Sequence, residues 1–121
     1  MKQLVLVFIG GGLGSALRFM SNKWFESLTT FVAFPTLVVN VLGSFLIGLL
    51  MGYYTQKNAI SHEQSLLLIT GFCGGFTTFS TFALENATLL KNGDYFTLLL
   101  YTLGSFILGI SFVLLGFYIS K

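Results

Sequence analysis

The chain has 121 residues, of which 55% are hydrophobic and 8% are charged, against about 25% charged in an ordinary soluble domain. Its formal net charge of +2 provides no basic patch for nucleic acid, and one cysteine, Cys73, rules out an internal disulfide. Too little polar surface remains to keep such a chain in water, so the expected solvent is a lipid bilayer and the expected architecture is all-α, a single domain over residues 1–121.

A spanning helix needs about 20 mainly apolar residues, and four segments qualify. The first runs from about Leu4 to Met20. Lys2 ahead of LVLVFIG resembles a secretory leader, but no small-residue cleavage site follows, so it is read as a retained span. The second runs from about Pro35 to Tyr54, the third from about Ser65 to Leu90, and the fourth from about Tyr95 to Tyr118. Pro35 suits a first helical turn, where no main-chain donor is lost. Trp24, Tyr53, Tyr54, Tyr95 and Tyr118 lie near segment ends, the place of an aromatic belt.

Basic residues ordinarily orient such a protein. With four spans, Lys2, Lys57 and Lys121 share one side, and Arg18, Lys23 and Lys91 the other. The near-balance leaves two readings open. Either the chain inserts both ways round and pairs antiparallel, or short loops simply carry few charges. Small size favours a pathway at a dimer interface over one enclosed by four helices.

Polar groups at membrane depth are costly unless paired, and so they are functional leads. In the second span Asn40, Ser44, Gly48 and Gly52 recur every four residues along one helix face. Gly48 and Gly52 permit close helix contact, whereas the Asn40 amide brings N–H donors suited to an anion. The third span holds three glycines, four hydroxyl residues and four phenylalanines between Gly71 and Phe82. Gly74-Gly75 followed by Thr77-Thr78 is a poor helix interior, and the expectation is a helix broken near the midplane, where freed backbone groups bind ions. Phe79 and Phe82 would share a face once helix resumes, offering the positive edges of their rings beside the Ser80 and Thr81 hydroxyls. The fourth span aligns Tyr101, Ser105 and Gly109 on one face. Arg18 and Glu85 lie towards the same side, where Arg18 either pairs with Glu85, draws anions into a vestibule or snorkels to the headgroups. Cys73 reads as a small buried hydrophobe and His62 as a solvated loop residue.

The run Gly71-Phe72-Cys73-Gly74-Gly75-Phe76-Thr77-Thr78-Phe79-Ser80-Thr81-Phe82, with Glu85 after it, resembles the signature of the Fluc (CrcB) fluoride channels. Gly10-Gly11-Gly12-Leu13-Gly14-Ser15-Ala16-Leu17-Arg18-Phe19 and Val39-Asn40-Val41-Leu42-Gly43-Ser44-Phe45 resemble that family's first two motifs. The resemblance covers the whole chain. It implies a multi-pass protein of the cell inner membrane that forms a dual-topology antiparallel homodimer with two pores and passively exports fluoride. It also implies that Asn40 lines the pore at its vestibule and that Phe79 and Phe82 coordinate the ion. Ser80, Thr81, Tyr101 and Ser105 would form a polar track, and the Gly74 and Thr77 carbonyls would hold a structural Na+ at the dimer axis. Arg18 and Glu85 match the family's basic and acidic positions. Gly109 departs from the pattern, standing where a further hydroxyl is expected.

Two other classes fit four spans. A proton-coupled multidrug exporter needs a carboxylate deep in the membrane, and the one in-span acid, Glu85, lies near an end; Glu85→Gln would abolish transport in such a protein. A non-transporting assembly subunit would explain the small-residue seams but not Asn40. A membrane enzyme is disfavoured, since no His/carboxylate cluster or nucleophile–base pair is present.

Overall fold

The computed structural model describes residues 1–121, and every regular element in it is helical. The elements are α1 (Lys2–Glu26), α2 (Phe34–Thr55), α3 (His62–Ser65), a π-helical stretch (Leu66–Cys73), α4 (Gly74–Phe76), α5 (Ser80–Lys91) and α6 (Tyr95–Ile119). Lys2–Glu26, Phe34–Thr55, His62–Lys91 and Tyr95–Ile119 are each long and apolar enough to cross a membrane. At 1.5 Å per residue a 25-residue helix reaches roughly 37 Å, more than the hydrocarbon core requires.

Local chemistry sets the ends. Pro35 lies in the first turn of α2, as its missing N–H demands. Ser61 caps α3 by accepting the Gln64 N–H at 3.1 Å, while the Gln64 side chain accepts the Ser61 N–H at 2.9 Å. α5 closes with Gly93 at φ +73°, its N–H donating to the Leu90 carbonyl and that of Asp94 to the Leu89 carbonyl. Asp94 then caps α6 by accepting the Thr97 N–H at 3.2 Å. Three spans end within three residues of their expected limits. α1 runs on to Glu26, six positions beyond Met20, because the polar turn after the apolar run contains no helix breaker.

The helices pack as two pairs, α1 against the third span and α2 against α6. Between lipid-immersed helices there is no water to expel, so association depends on close packing, which small residues permit. A Cβ on Gly10 would strike the Leu67 carbonyl oxygen, and one on Gly14 the Phe72 carbonyl oxygen. From the other side, a Cβ on Gly75 would strike the Gly11 carbonyl oxygen, and one on Gly71 would come within 2.9 Å of the Val7 oxygen. Backbone therefore touches backbone along this seam. Gly48 and Gly116 do the same for α2 and α6, meeting Val113 and Phe45. Few side chains are buried, Val39, Cys73 and Ser120 most completely. Phe8, Leu13, Trp24, Phe96 and Leu103 point outward, as suits a protein solvated by lipid.

In the third span the helix stops at Phe76, Thr77 is extended at φ −86°, ψ 159°, and helix resumes at Ser80. The π-helical turns before it are a feature that the apolar pattern of Leu66–Cys73 does not distinguish from α-helix.

Candidate functional site

The interruption is held by side chains from both neighbouring helices. Asn40 of α2 grips one peptide at both ends: its Oδ1 accepts the Thr78 N–H at 2.8 Å, and its Nδ2 donates to the Thr78 carbonyl at 3.0 Å. In a continuing α-helix that N–H would belong to the Gly74 carbonyl. The Thr81 N–H, due to the Thr77 carbonyl, is likewise taken by Thr78 Oγ1 at 3.2 Å. Gly74 and Thr77 thus lose their helical donors to identified acceptors, leaving two backbone oxygens available. From α1, Arg18 Nε donates to the Gly75 carbonyl at 3.0 Å, and Ser15 Oγ donates to the same oxygen at 3.4 Å.

Beside the interruption lies an open groove of about 620 Å³. Asn40, Gly74, Thr77, Phe79, Phe82 and Ser105 line it, with Phe106 and no charged side chain. Phe79 and Phe82 are adjacent, ring centroids 6.0 Å apart, but differ in setting. Phe82 is buried and meets Phe106 edge-on at 87° and 6.1 Å, whereas Phe79 is 74% exposed. Ser105 Oγ is buried and has no hydrogen-bond partner, a costly state for a hydroxyl in an apolar setting unless a ligand or water meets it. Gly109 also lines the groove, and a Cβ there would meet only Ser44 Oγ, at 3.6 Å. The gap in the hydroxyl stripe is therefore space next to another hydroxyl, although that of Ser44 donates to the Asn40 carbonyl at 2.7 Å.

Other expected site residues lie apart from the groove. Tyr101 is buried, and its OH donates to Glu85 Oε1 at 2.8 Å. Glu85 Oε2 accepts the Thr36 hydroxyl at 2.9 Å. Next to this cluster Thr102 Oγ1 donates to Asn86 Oδ1 at 3.0 Å. Ser80 is exposed and Thr81 half-buried, neither against the groove. Arg18 and Glu85 do not pair. Each is engaged elsewhere, and the ion pair that does form joins exposed Lys2 and Glu63 at 2.9 Å.

Thr36 and Thr78 hold candidate residues in place, Thr36 at the Glu85 carboxylate and Thr78 at the Asn40 amide, contacts that the sequence alone does not specify. Thr36 had a signal, since it stands four positions before Asn40 on the same polar stripe. Thr78 had none beyond its place in a hydroxyl-rich run, because its capture by Asn40 is a long-range contact.

Residues 5–117 match the family model described as CrcB-like protein, Camphor Resistance (CrcB). Proteins named fluoride-specific ion channel are similar over essentially the whole chain. That of Azobacteroides pseudotrichonymphae is 46% identical over 123 residues, covering 100% of this chain and 98% of its own length. That of Gloeothece citriformis is 43% identical with the same coverage, and that of Aquifex aeolicus is 43% identical, covering 95% and 94%.

Proposed function

The chain belongs to the CrcB-like family, and from that premise we propose that it is a fluoride-selective passive channel, not an enzyme, built from two antiparallel copies inserted in opposite orientations in the cell inner membrane. The observation that carries this reading is the convergence of Asn40, Phe79, Phe82 and Ser105 on one uncharged groove with a buried, unpartnered hydroxyl. A small, strongly hydrated anion loses its water shell on entering a membrane and needs replacement donors along its path. Hydroxyls and ring edges supply them without the full positive charge that would trap the ion. Export lowers the toxic load because fluoride entering as HF in acid surroundings dissociates inside.

The second copy is supported by what one copy leaves uncovered. α6 is buried over only 6% of its apolar window, Phe79 is exposed, and the groove is open on one side. A partner crossing at the interruption of the third span would close the groove and bring the ring of Phe79 under cover. Ser80 and Thr81, at the start of α5, and Tyr101, on α6, would continue the polar track beyond the groove that Phe79 and Phe82 line. Glu85 lies where its oxygens are held by Thr36 and Tyr101.

The crossing also suits a sodium ion on the two-fold axis. Gly74 and Thr77 offer carbonyl oxygens without helical donors, and hard cations take oxygen ligands. When bound, the ion would supply electrostatic cohesion between the two interrupted spans. The part of the chain itself is to keep those oxygens free of helical donors, Asn40 taking the Thr78 N–H and Thr78 Oγ1 the Thr81 N–H, at residues that line the groove.

Proteoliposomes loaded with fluoride test the function. Rapid release at a fluoride electrode, without a proton gradient and with little chloride leak, is the expected result; intact dimers that release none would overturn it. Within this reading Phe79→Ile keeps bulk but removes the ring edge, and it is expected to slow efflux roughly tenfold. Unchanged efflux in a correctly folded Phe79→Ile dimer would remove the ring from the pathway.

A further inference from the structure

We propose that Arg18 is the positioning residue of the interrupted third span, its Nε–H replacing the main-chain donor that the Gly75 carbonyl has lost. In an unbroken α-helix that oxygen would accept the Phe79 N–H. With Thr77 extended, this turn is gone, and the oxygen instead receives Arg18 Nε at 3.0 Å and Ser15 Oγ at 3.4 Å. Gly75 lies between Gly74 and Thr77, so the direction of its carbonyl governs how the flanking peptides turn. Asn40 fixes the Thr78 peptide from the side of α2, and Arg18 fixes the Gly75 peptide from the side of α1. The glycine seam makes this reach possible. Gly14 touches Phe72 and Phe76, and Gly75 touches Gly11, placing the next turn of α1 against the interruption.

The geometry separates this role from electrostatic attraction of anions. The donor is Nε, the inner nitrogen of the guanidinium, and a hydrogen bond from a charged donor to a carbonyl is stronger than one from a neutral donor. Glutamine carries its Nε2 at the same number of bonds from Cα as arginine carries Nε, so Arg18→Gln keeps a donor at that place and removes the charge. Lysine carries a methylene there and keeps the charge. Methionine carries a methyl there and has neither.

Cys73 provides a readout that does not depend on fluoride. It is the only cysteine in the chain, is 1% exposed, and its carbonyl accepts both the Thr77 N–H at 3.1 Å and the Thr77 hydroxyl at 2.9 Å. Loosening of the interruption exposes its thiol. The experiment is the rate of N-ethylmaleimide labelling of the detergent-purified full chain, alongside fluoride efflux from proteoliposomes. Arg18→Gln, which keeps a neutral donor, is expected to label within about threefold of the parent rate, and Arg18→Lys and Arg18→Met at least about tenfold faster, the factor for losing one charge-assisted hydrogen bond. Efflux should survive in Arg18→Gln and fall in the other two. The inference rests on the channel reading for the efflux arm alone. If the parent releases no fluoride but the labelling order holds, the positioning role stands and the channel reading fails. Parent-like labelling in Arg18→Lys with fast labelling in Arg18→Gln would overturn the inference in favour of charge. Equal labelling in all four proteins would overturn it as well. Should Arg18→Lys and Arg18→Met fail to fold while Arg18→Gln folds, the donor role is supported; failure of all three overturns it.

Discussion

Asn40→Asp is expected to abolish fluoride efflux while leaving a four-helix protein that purifies and shows parental helicity. The substitution is nearly isosteric, and the new carboxylate still accepts the Thr78 N–H that Asn40 Oδ1 receives at 2.8 Å. On the other side it fails. Nδ2 donates to the Thr78 carbonyl at 3.0 Å, and aspartate would set an oxygen against that oxygen, with no donor between them. The lost bond costs about 1–3 kcal/mol in a buried setting and frees one end of the peptide that terminates the helix. The second effect is electrostatic. Asn40 lines the groove that no charged residue enters, and an anion about 5 Å from a fixed negative charge is opposed by roughly 3 kcal/mol at an effective dielectric constant near 20. Either effect slows passage; together they leave less than about one hundredth of the parental rate. Efflux from proteoliposomes measures the first quantity and circular dichroism the second. Efflux at the parental rate would remove Asn40 from the pathway.

The existence of four spans was legible because a bilayer imposes a minimum length of apolar sequence, and the charged residues mark where each run stops. Boundaries were less legible where nothing enforces them. α1 continues to Glu26 because helix persists past the end of apolarity until a residue forbids it. The pairing of helices was hidden for a different reason. Glycines at a four-residue spacing declare that something approaches closely, but not what. Gly48 and Gly52 stood out on the second span, and Gly48 does face α6, at Val113, and Gly52 the end of α6, at Phe117 and the following Ser120. The facing pairs Gly10 and Gly14, Gly71 and Gly75 make the other seam, and their complementarity is a property of two segments that neither displays alone.

The site shows the same division. Composition between Gly71 and Phe82 singled out the segment in which Thr77 is extended between Phe76 and Ser80, and the glycines and threonines there are residues with little helical preference. Spacing placed Asn40 on a polar face but could not say what lies opposite. Its amide was expected to turn both donors to an anion, whereas one of them is committed to Thr78. Tyr101 and Ser105 share a stripe by spacing, yet Tyr101 reaches Glu85 while Ser105 faces the groove, because a phenol extends far enough to find a partner on α5 and a short hydroxyl does not. Arg18 and Glu85 were drawn to the same side by topology, but a carbonyl and two hydroxyls satisfy them separately.

Gly14→Val is expected to prevent folding of the α1 seam, with Gly12→Val as a tolerated control on the same helix. A Cβ at Gly12 meets nothing within 4 Å, whereas one at Gly14 overlaps the Phe72 carbonyl oxygen and lies 2.9 Å from the Phe76 nitrogen. Overpacking ordinarily costs about 1–3 kcal/mol when flexible side chains yield. Here both obstacles are backbone, and the helix carrying them is fixed to α1 at further points, Gly10 on Leu67 and Gly75 on Gly11, so the cost falls at or above the top of that range. A partial response is for α1 to withdraw by an ångström or two. That displacement would separate Ser15 and Arg18 from the Gly75 carbonyl, now 3.4 and 3.0 Å away, and the interruption would lose its support on one side. Conduction should therefore vanish in Gly14→Val even where some helical protein is recovered, while Gly12→Val keeps both its elution profile and its efflux. Size-exclusion chromatography and thermal unfolding in detergent, read beside the flux, separate the two consequences. A Gly14→Val protein with parental stability would mean that α1 and the third span are not in backbone contact, and the role assigned to Arg18 would fall with the seam.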